Sequence, residues 1–279
     1  MSTPKVGLHK GVSRTVYGTW GTASNQSVVK VHRKSAAHVF EEMQHPKAST
    51  PALVEGDAIH ACILEPSRWK AEYVAGLDRP RRSADDKQAW LEFEHEHSGK
   101  IILTAKQYEN VGRIAGAVWE HPTARTILSG AGTNEIGLVW EDVDLGVLCK
   151  ALVDRLTKHD GRVVAVDLKS AEDASEDAWP RACVKYGYDV QAAFYIDGLH
   201  ALSPAERGFL MLVVEKKPPY AIKVYEPAPS VLEVGRVKYK RWLAKHAECL
   251  KSGIWPGYAE GVTMFHLPEW AYKEMDDDG

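Results

Sequence analysis

The chain has 279 residues, of which 44% are hydrophobic and 26% charged, and its net charge is −3 from 35 basic and 38 acidic side chains. This composition supports a sizeable folded core and excludes wholesale disorder, collagen-like repeats and small disulfide-rich scaffolds. No apolar run approaches the roughly 20 residues of a membrane-spanning helix, and no apolar stretch follows the first basic residues. We therefore expect a cytoplasmic protein with no membrane partner.

The first part of the chain predicts a loose arm followed by helices. Residues 1–26 are rich in Gly, Ser and Thr, which favour irregular structure. The dipeptide Thr50-Pro51, a cap residue followed by proline, predicts the start of a helix that ends before Pro66. The predicted helices of this region span residues 26–43, 51–65, 85–97 and 105–119.

The second part of the chain predicts a sheet. Short runs of Val, Leu and Ile between Gly and Asp turns predict a meander of three strands, followed by a long helix, two more strands and a final helix. The predicted strands span 135–140, 145–154, 162–170, 208–215 and 221–226, and the predicted helices span 178–202 and 230–252. This order predicts an α/β fold in which helices flank a central mixed sheet, with an N-terminal helical region. We expect one domain over 27–272 and a disordered acidic tail over 273–279.

The strand predicted over 162–170 is largely apolar but contains charged residues on one face. Alternation places Asp167 and Lys169 on one face, where burial is costly unless the two groups are paired or used. Asp154 ends the preceding strand, so antiparallel pairing of the two strands brings both aspartates together. Adjacent carboxylates repel each other, and a hard divalent cation such as Mg²⁺ or Mn²⁺ resolves that repulsion. A buried Asp–Lys ion pair with no catalytic role is the alternative.

An aspartate followed thirteen positions later by Asp-x-Lys is typical of the PD-(D/E)xK nuclease superfamily. In such a site the carboxylates hold a metal ion that acidifies a bound water, and the lysine orients that water or stabilises charge on the phosphate. Gln191 and Tyr195 form a Gln-x-x-x-Tyr motif on one helical face, and Gly56 and His60 form an upstream Gly-x-x-x-His motif. This order is typical of RecB-type nucleases. At Gly56 we expect close approach of a neighbouring backbone.

Longer segments narrow the resemblance from RecB-type nucleases in general to a single family of exonucleases. They are EGDAIHACILEP at 55–66, DLKSAEDAS at 167–175, YGYDVQAAFYIDGL at 186–199, and WPGY with LPEWA toward the C-terminus. From about residue 24 to 271 the chain resembles the RecE-type phage recombination exonucleases (exonuclease VIII). The resemblance implies a PD-(D/E)xK nuclease core and a Mg²⁺-dependent exonuclease, with Mn²⁺ as a substitute. Such an enzyme digests one strand of duplex DNA from the 5′ end and leaves 3′ tails for recombination by strand annealing.

The resemblance also assigns individual residues. The implied metal ligands are His60, Asp154, Asp167 and the backbone carbonyl of Leu168. The implied catalytic group consists of Asp154, Asp167, Lys169, Gln191 and Tyr195, the last two supporting the site or contacting the DNA backbone. Apart from the resemblance, Glu135 on the first predicted strand is a candidate for a further acidic participant, but we expect it to face solvent.

The resemblance further implies partners. They are double-stranded DNA ends, a single-strand annealing protein of the RecT type, and further copies of the chain in a ring, a tetramer or alternatively a trimer. Because the net charge is close to neutral, DNA contacts must be local, and the candidate basic patches lie at 30–34, 79–82 and 236–241. Two alternatives remain: a structure- or sequence-specific endonuclease on the same core, and a non-catalytic protein that binds DNA ends. The chain has no G-x-x-x-x-G-K-[ST] motif, which excludes an ATP-driven motor of that type.

Overall fold

The computed structural model of the chain describes residues 3–21, 23–24, 33–45 and 50–267. The helices of this part are α1 (Arg14–Thr19), α2 (Ala36–Gln44), α3 (Pro51–Leu64), α4 (Pro66–Glu72), α5 (Ala84–Glu96), α6 (Ala105–Glu120), α7 (Pro122–Ser129), α8 (Trp179–Tyr186), α9 (Tyr188–Leu202) and α10 (Pro229–Ser252). The strands are β1 (Gly7–Lys10), β2 (Ala23–Ser24), β3 (Tyr73–Ala75), β4 (Ile101–Leu103), β5 (Gly132–Asp142), β6 (Val147–His159), β7 (Arg162–Ala171), β8 (Arg207–Glu215) and β9 (Ile222–Tyr225). None of the described helices combines the length and apolar character that a membrane span requires.

A seven-stranded mixed sheet forms the centre of the molecule. Its order is β1-β5-β6-β7-β8-β9, and β2 pairs with β6 beside this path. The pairs β7–β8 and β2–β6 are parallel, and the other neighbours are antiparallel. The predicted α/β fold with a central mixed sheet and flanking helices is therefore confirmed. The short β3 and β4 form a separate two-stranded sheet.

The strands β6 and β7 separate partway along their length. Their pairing runs from His159↔Arg162 to Arg155↔Val166 and stops there, whereas β7 continues in register with β8. Beyond this point β6 pairs with β2 instead. We call the point of separation, where Asp154 follows on β6 and Asp167 on β7, the fork.

Two large apolar cores cover the two faces of the sheet. Ala165 of β7 packs into the core shared with α9 and α10, whereas Val164, Val166 and Leu168 pack into the core shared with α3, α6 and α7. The predicted alternation along β7 is confirmed. Because helices cover both faces, α3 and α9 approach the fork from opposite sides of the sheet.

The helix predicted over 178–202 is two helices, α8 and α9. Gly187 lies between them with φ +77°, and its N–H donates to the carbonyl of Cys183. A glycine in the left-handed region ends a helix, because other residues pay a steric cost there. The sequence prediction overlooked this stop signal.

Several elements were not predicted. The sequence predicts only that helices end before Pro66 and before Pro122. In the structure each of these prolines begins a new helix, because proline fits the first turn. The segment predicted as a loose arm contains α1 and β1, and β1 pairs with β5. The strands β2, β3 and β4 were also missed. The start of the helix predicted over 26–43 and the acidic tail lie outside the described residues.

Candidate active site at the fork

The fork holds two buried carboxylates in fixed orientations. Asp154 is 6% exposed and Asp167 is 3% exposed. Asp154 Oδ2 accepts a hydrogen bond of 2.8 Å from the backbone N–H of Leu168. Lys169 Nζ lies 2.6 Å from Asp167 Oδ2, so the predicted Asp-x-Lys pair shares one site. The carbonyl of Leu168 belongs to the same segment, and its role as a metal ligand stays a prediction.

The helix α3 delivers His60 to this site. Its N-terminus is capped by Thr50, whose side chain accepts from the N–H of Leu53, and Pro51 occupies the first turn. His60 Nδ1 lies 3.5 Å from Asp154 Oδ1. Gly56, one turn earlier, lines the cleft, and an added Cβ would meet nothing within 4 Å. The expectation that a neighbouring backbone approaches Gly56 closely is wrong, because this face of α3 borders open space.

Glu135 joins the site and corrects a sequence expectation. Its side chain does not face solvent; the residue is 5% exposed, and its ligand atoms lie within 4.8 Å of those of His60 and Asp154. Glu135 has φ +49° and lies between the pairs Asn134↔Arg155 and Ile136↔Val153. A positive φ is uncommon for a residue other than glycine, so the backbone of β5 is irregular at the position that delivers this carboxylate. The signal available in the sequence was an acidic residue at the start of a predicted apolar strand.

The site also contains Arg14, which the sequence did not indicate. Arg14 Nη2 lies 3.2 Å from His60 Nδ1 and 3.8 Å from the nearest carboxylate oxygens of Glu135 and Asp154. Arg14 Nε lies 3.1 Å from Asp57 on α3. No local pattern predicts these contacts, because Arg14 and His60 are 46 positions apart.

A buried lysine holds the helix that carries Arg14. Lys150 Nζ donates to the backbone carbonyls of Tyr17 at 2.9 Å and Trp20 at 2.7 Å, at the C-terminal end of α1. A cation near the last carbonyls of a helix satisfies groups that lack partners within the helix. This contact fixes α1 against β6, next to the fork.

The motif residues of α9 brace the site from the opposite face. Gln191 Nε2 donates to Asp167 Oδ1 at 2.8 Å, and the Tyr195 hydroxyl donates to the carbonyl of Leu152 at 3.0 Å. Gln191 therefore fixes one oxygen of Asp167 while Lys169 contacts the other. The structure brings the predicted residues His60, Asp154, Asp167, Leu168, Lys169, Gln191 and Tyr195 to one site, and their chemical roles stay predictions.

The charges at the fork shift one another's pKa values. Burial and the charge of Asp154 raise the pKa of Glu135 to about 7. Burial also raises the pKa of Asp167, in opposition to Lys169. Burial acts to raise the pKa of Asp154 too, but interactions with His60, Lys169 and Arg14 outweigh it and hold the pKa below its ordinary value.

Lys169 keeps its charge in this environment. Burial acts to lower the pKa of Lys169, but the charges of Asp167 and Asp154 outweigh burial and raise it above its ordinary value. The ammonium group is therefore held positive beside the two carboxylates.

The donor atoms fit a divalent cation. Both carboxylate oxygens of Glu135 are buried and have no hydrogen-bond partner among the described residues. An uncompensated buried carboxylate is costly, and a cation bound by His60, Glu135 and Asp154 would offset that cost. Carboxylate oxygens suit Mg²⁺ and Mn²⁺, and the imidazole nitrogen is better suited to Mn²⁺.

The fork opens into a cleft of about 880 Å³. Its walls carry the site residues other than Glu135, together with cationic and aromatic side chains of α8 and α9, including Arg181, Lys185, Tyr186 and Tyr188. The volume lies within the range typical of ligand sites.

Several side chains of the predicted basic patches form contacts within the described part of the chain. Arg236, Lys238 and Lys240 pair with the carboxylates of Asp197, Asp189 and Asp142. In the second patch, Arg81 pairs with Glu94. Arg33, from the first patch, donates to backbone carbonyls of α8. Lys30 and His32 lie outside the described residues.

The guanidinium of Arg155, which follows Asp154, is not placed to contact a phosphate. It is 7% exposed and donates to the carbonyls of Ile127 and Gly130 and to Asn134 Oδ1. These contacts tie β6 to the end of α7.

Comparison with solved structures supports the fold assignment. A candidate exonuclease from Eubacterium rectale has a TM-score of 0.61 and 11% identity, with 95% of this chain and 98% of that chain covered. An alkaline exonuclease from Laribacter hongkongensis has a TM-score of 0.27 and 16% identity, with 71% of this chain and 97% of that chain covered. At 11% identity, the match to the Eubacterium rectale protein shows a similar fold and nothing finer.

The family assignment comes from the sequence profile. No curated protein matches the chain at a significant level. Residues 25–268 match the family described as a PDDEXK-like domain of unknown function, DUF3799. The match covers strands β5 to β9 of the central sheet, the fork and most of the helices around them, and the chain therefore belongs to this PDDEXK-like family.

Proposed function

We propose that the chain is a metal-dependent exodeoxyribonuclease that hydrolyses one strand of linear double-stranded DNA. The observation that carries the proposal is the convergence of Asp154, Asp167, Lys169 and His60 in one open cleft, with the Glu135 carboxylate beside His60 and Asp154. The exonuclease name of the structural neighbour from Eubacterium rectale favours exonuclease over endonuclease activity. A non-catalytic DNA-binding protein would need neither the charged lysine nor the surplus of buried carboxylates.

The finer details rest on the resemblance to RecE-type exonucleases. We propose digestion from the 5′ end, with Mg²⁺ as the metal, leaving 3′ tails for strand annealing. We also propose a RecT-type annealing partner and a ring of identical subunits, tetrameric or alternatively trimeric, in the cytoplasm. A ring keeps the enzyme on its substrate without tight contacts to the bases.

The chain's own residues account for most of the proposed mechanism. His60, Glu135, Asp154 and Asp167 would hold the divalent cation, which when bound lowers the pKa of water and neutralises charge on the phosphate. Gln191 and the N–H of Leu168 hold the two aspartates in fixed orientations. Lys169, held positive beside Asp167, is placed to orient the attacking water or to stabilise negative charge on a non-bridging phosphate oxygen.

End-labelled linear duplex, incubated with and without Mg²⁺, tests the proposal. We expect release of labelled nucleotides from the 5′ end only when the metal is present, and no product from covalently closed DNA. Cutting of closed circles would establish the endonuclease alternative. If the protein binds DNA ends whether or not metal is present, and cleaves DNA in neither Mg²⁺ nor Mn²⁺, the non-catalytic alternative would be established.

A further inference from the structure

Four aromatic rings follow one another from the core to the rim of the cleft. Tyr225 and Trp179 have centroids 5.8 Å apart at an interplanar angle of 12°, and Trp179 and Tyr188 are 5.4 Å apart at 22°. Tyr188 and Tyr186 are 5.7 Å apart at 35°. Trp179 is 4% exposed, whereas Tyr186 is 56% exposed. We call these four residues the aromatic run.

Backbone contacts hold the exposed end of the aromatic run, Tyr186, in place. Tyr186 is the last residue of α8, directly before Gly187, which ends the helix in the left-handed conformation. Arg33 donates through two nitrogens to the carbonyls of Lys185 and Val184, each at 2.9 Å. The solvent-facing ring is therefore attached to a helix end that is held in place by hydrogen bonds.

The aromatic run lies beside the fork. Lys169 Nζ is 4.8 Å from the centroid of the Tyr188 ring, and the Tyr186 ring follows 5.7 Å beyond Tyr188. At about 3.4 Å per nucleotide along one strand, the two steps together span at most about three nucleotides from the ammonium group.

Cations accompany the exposed ring. Arg181 and Lys185 are exposed residues of α8 and line the same cleft. Lys185 Nζ lies 5.2 Å from the centroid of the Tyr186 ring. Aromatic faces interleaved with basic side chains bind single-stranded nucleic acid, because the rings stack on bases while the cations contact the phosphates.

We propose that Tyr186 stacks on the base of an unpaired nucleotide near the scissile phosphate, and that Arg181 and Lys185 bind the flanking phosphates. The inference rests on the proposed function and names its substrate more closely. Except at the terminal base pair of a duplex, a base exposes its face only when it has left the double helix. The strand that enters the cleft is therefore single-stranded over its first few nucleotides, and a duplex must open at its end before cleavage.

An abasic scan tests the stacking contact by binding alone. The cleavage-deficient variant Asp167→Asn is titrated, by fluorescence anisotropy, with single-stranded oligonucleotides that each lack one base at a successive position from either end. We expect one position, or two adjacent positions, to weaken binding by about tenfold or more, which matches the usual effect of one stacked base. Adding Tyr186→Ala should weaken binding of the intact oligonucleotide by the same factor and abolish the positional effect.

Matched variants separate stacking from folding. Tyr186→Phe should retain the positional effect, whereas Tyr186→Leu, which keeps apolar bulk without an aromatic face, should lose it. Tyr258→Ala is the control, because Tyr258 is 70% exposed and does not line the cleft; its abasic profile should match that of the Asp167→Asn parent. All variants should have the same melting temperature as the Asp167→Asn parent.

The possible outcomes distinguish this inference from the proposed function. A flat abasic profile, a Leu variant that keeps the positional effect, or an absence of oligonucleotide binding would each overturn the stacking proposal. The proposed function fails instead if the wild-type protein leaves linear DNA intact in Mg²⁺ and Mn²⁺. The abasic scan is unaffected by that failure, because it measures binding in a protein that cannot cleave.

Discussion

In the described part of the chain, buried carboxylates lie at the fork and at the contact of α10 with α9 and the end of β5, which we call the seam. At the seam each carboxylate has its own cation from α10, at distances of 2.5 to 2.8 Å. The seam pairs are Asp142–Lys240, Asp189–Lys238 and Asp197–Arg236. At the fork, Lys169 contacts Asp167 closely, whereas Arg14 comes no nearer than 3.8 Å to Glu135 or Asp154.

This difference separates two uses of buried charge. The charge of a carboxylate with its own cation is compensated within the folded chain, and its removal or that of its partner affects stability. At the fork the carboxylates share their cations, and Glu135 lacks any hydrogen bond to the described residues. Such a site is compensated fully only by an added cation, which is what metal-dependent hydrolysis requires. The following predictions test this contrast, from the largest expected effect to the smallest.

Asp167→Asn should lower the single-turnover cleavage rate by about 10⁴-fold or more, because the site loses a ligand charge. The melting temperature should not fall, because burial already disfavours the charged form of Asp167. Asp154→Asn should act in the same direction on cleavage. Normal turnover of both variants in Mg²⁺ would show that the fork is not the reaction centre.

Lys169→Ala should slow cleavage by about 10²- to 10³-fold, the usual effect of removing one electrostatic group at a transition state. DNA and Mg²⁺ affinity should change only a few-fold. Lys169→Arg should not restore the rate, because a planar guanidinium differs in geometry from an ammonium group. If Lys169 only neutralises Asp167, chemistry will stay near normal and the melting temperature will drop, as expected of a seam pair.

Lys240→Met at the seam should show the opposite pattern. It leaves Asp142 buried without its cation and should lower the free energy of unfolding by about 1–3 kcal/mol. Neither residue lines the cleft, so the cleavage rate measured well below the melting temperature should be unchanged. Lys245→Met, an exposed position on the same helix, is the control for removing one charge. A large loss of activity in Lys240→Met would remove the distinction between seam and fork.

Glu135 should give the metal-free protein a pH-dependent stability. Its pKa is raised from 4.5 to about 7, so between these values the folded protein holds a proton that the unfolded chain has released. The free energy of unfolding should therefore fall by about 1–3 kcal/mol as the pH rises from 4.5 to 7. Urea unfolding in EDTA should show this slope in the wild type and not in Glu135→Gln. Equal slopes in both proteins would mean that Glu135 is already compensated.

The sequence by itself determined the fold class and the central part of the site. The positions of Asp154 and Asp167 follow from two strands joined by a tight turn, and strand alternation places Lys169 beside Asp167. Helical spacing likewise aligns Gln191 with Tyr195. These are local relations, because each depends on a repeat of two or 3.6 residues along a continuous segment.

Only the tertiary structure decided the rest. The α1 helix and the short strand β1 are stabilised by β5 and β6, which lie more than a hundred positions away, so their own segments carry little signal. Glu135 reaches the fork through a positive φ in β5, and Arg14 reaches it because Lys150 holds α1 in place. The sequence could not indicate which carboxylates would have their own cations. That outcome depends on contacts between distant segments, and burial makes those contacts decisive by removing the water that would otherwise solvate each charge.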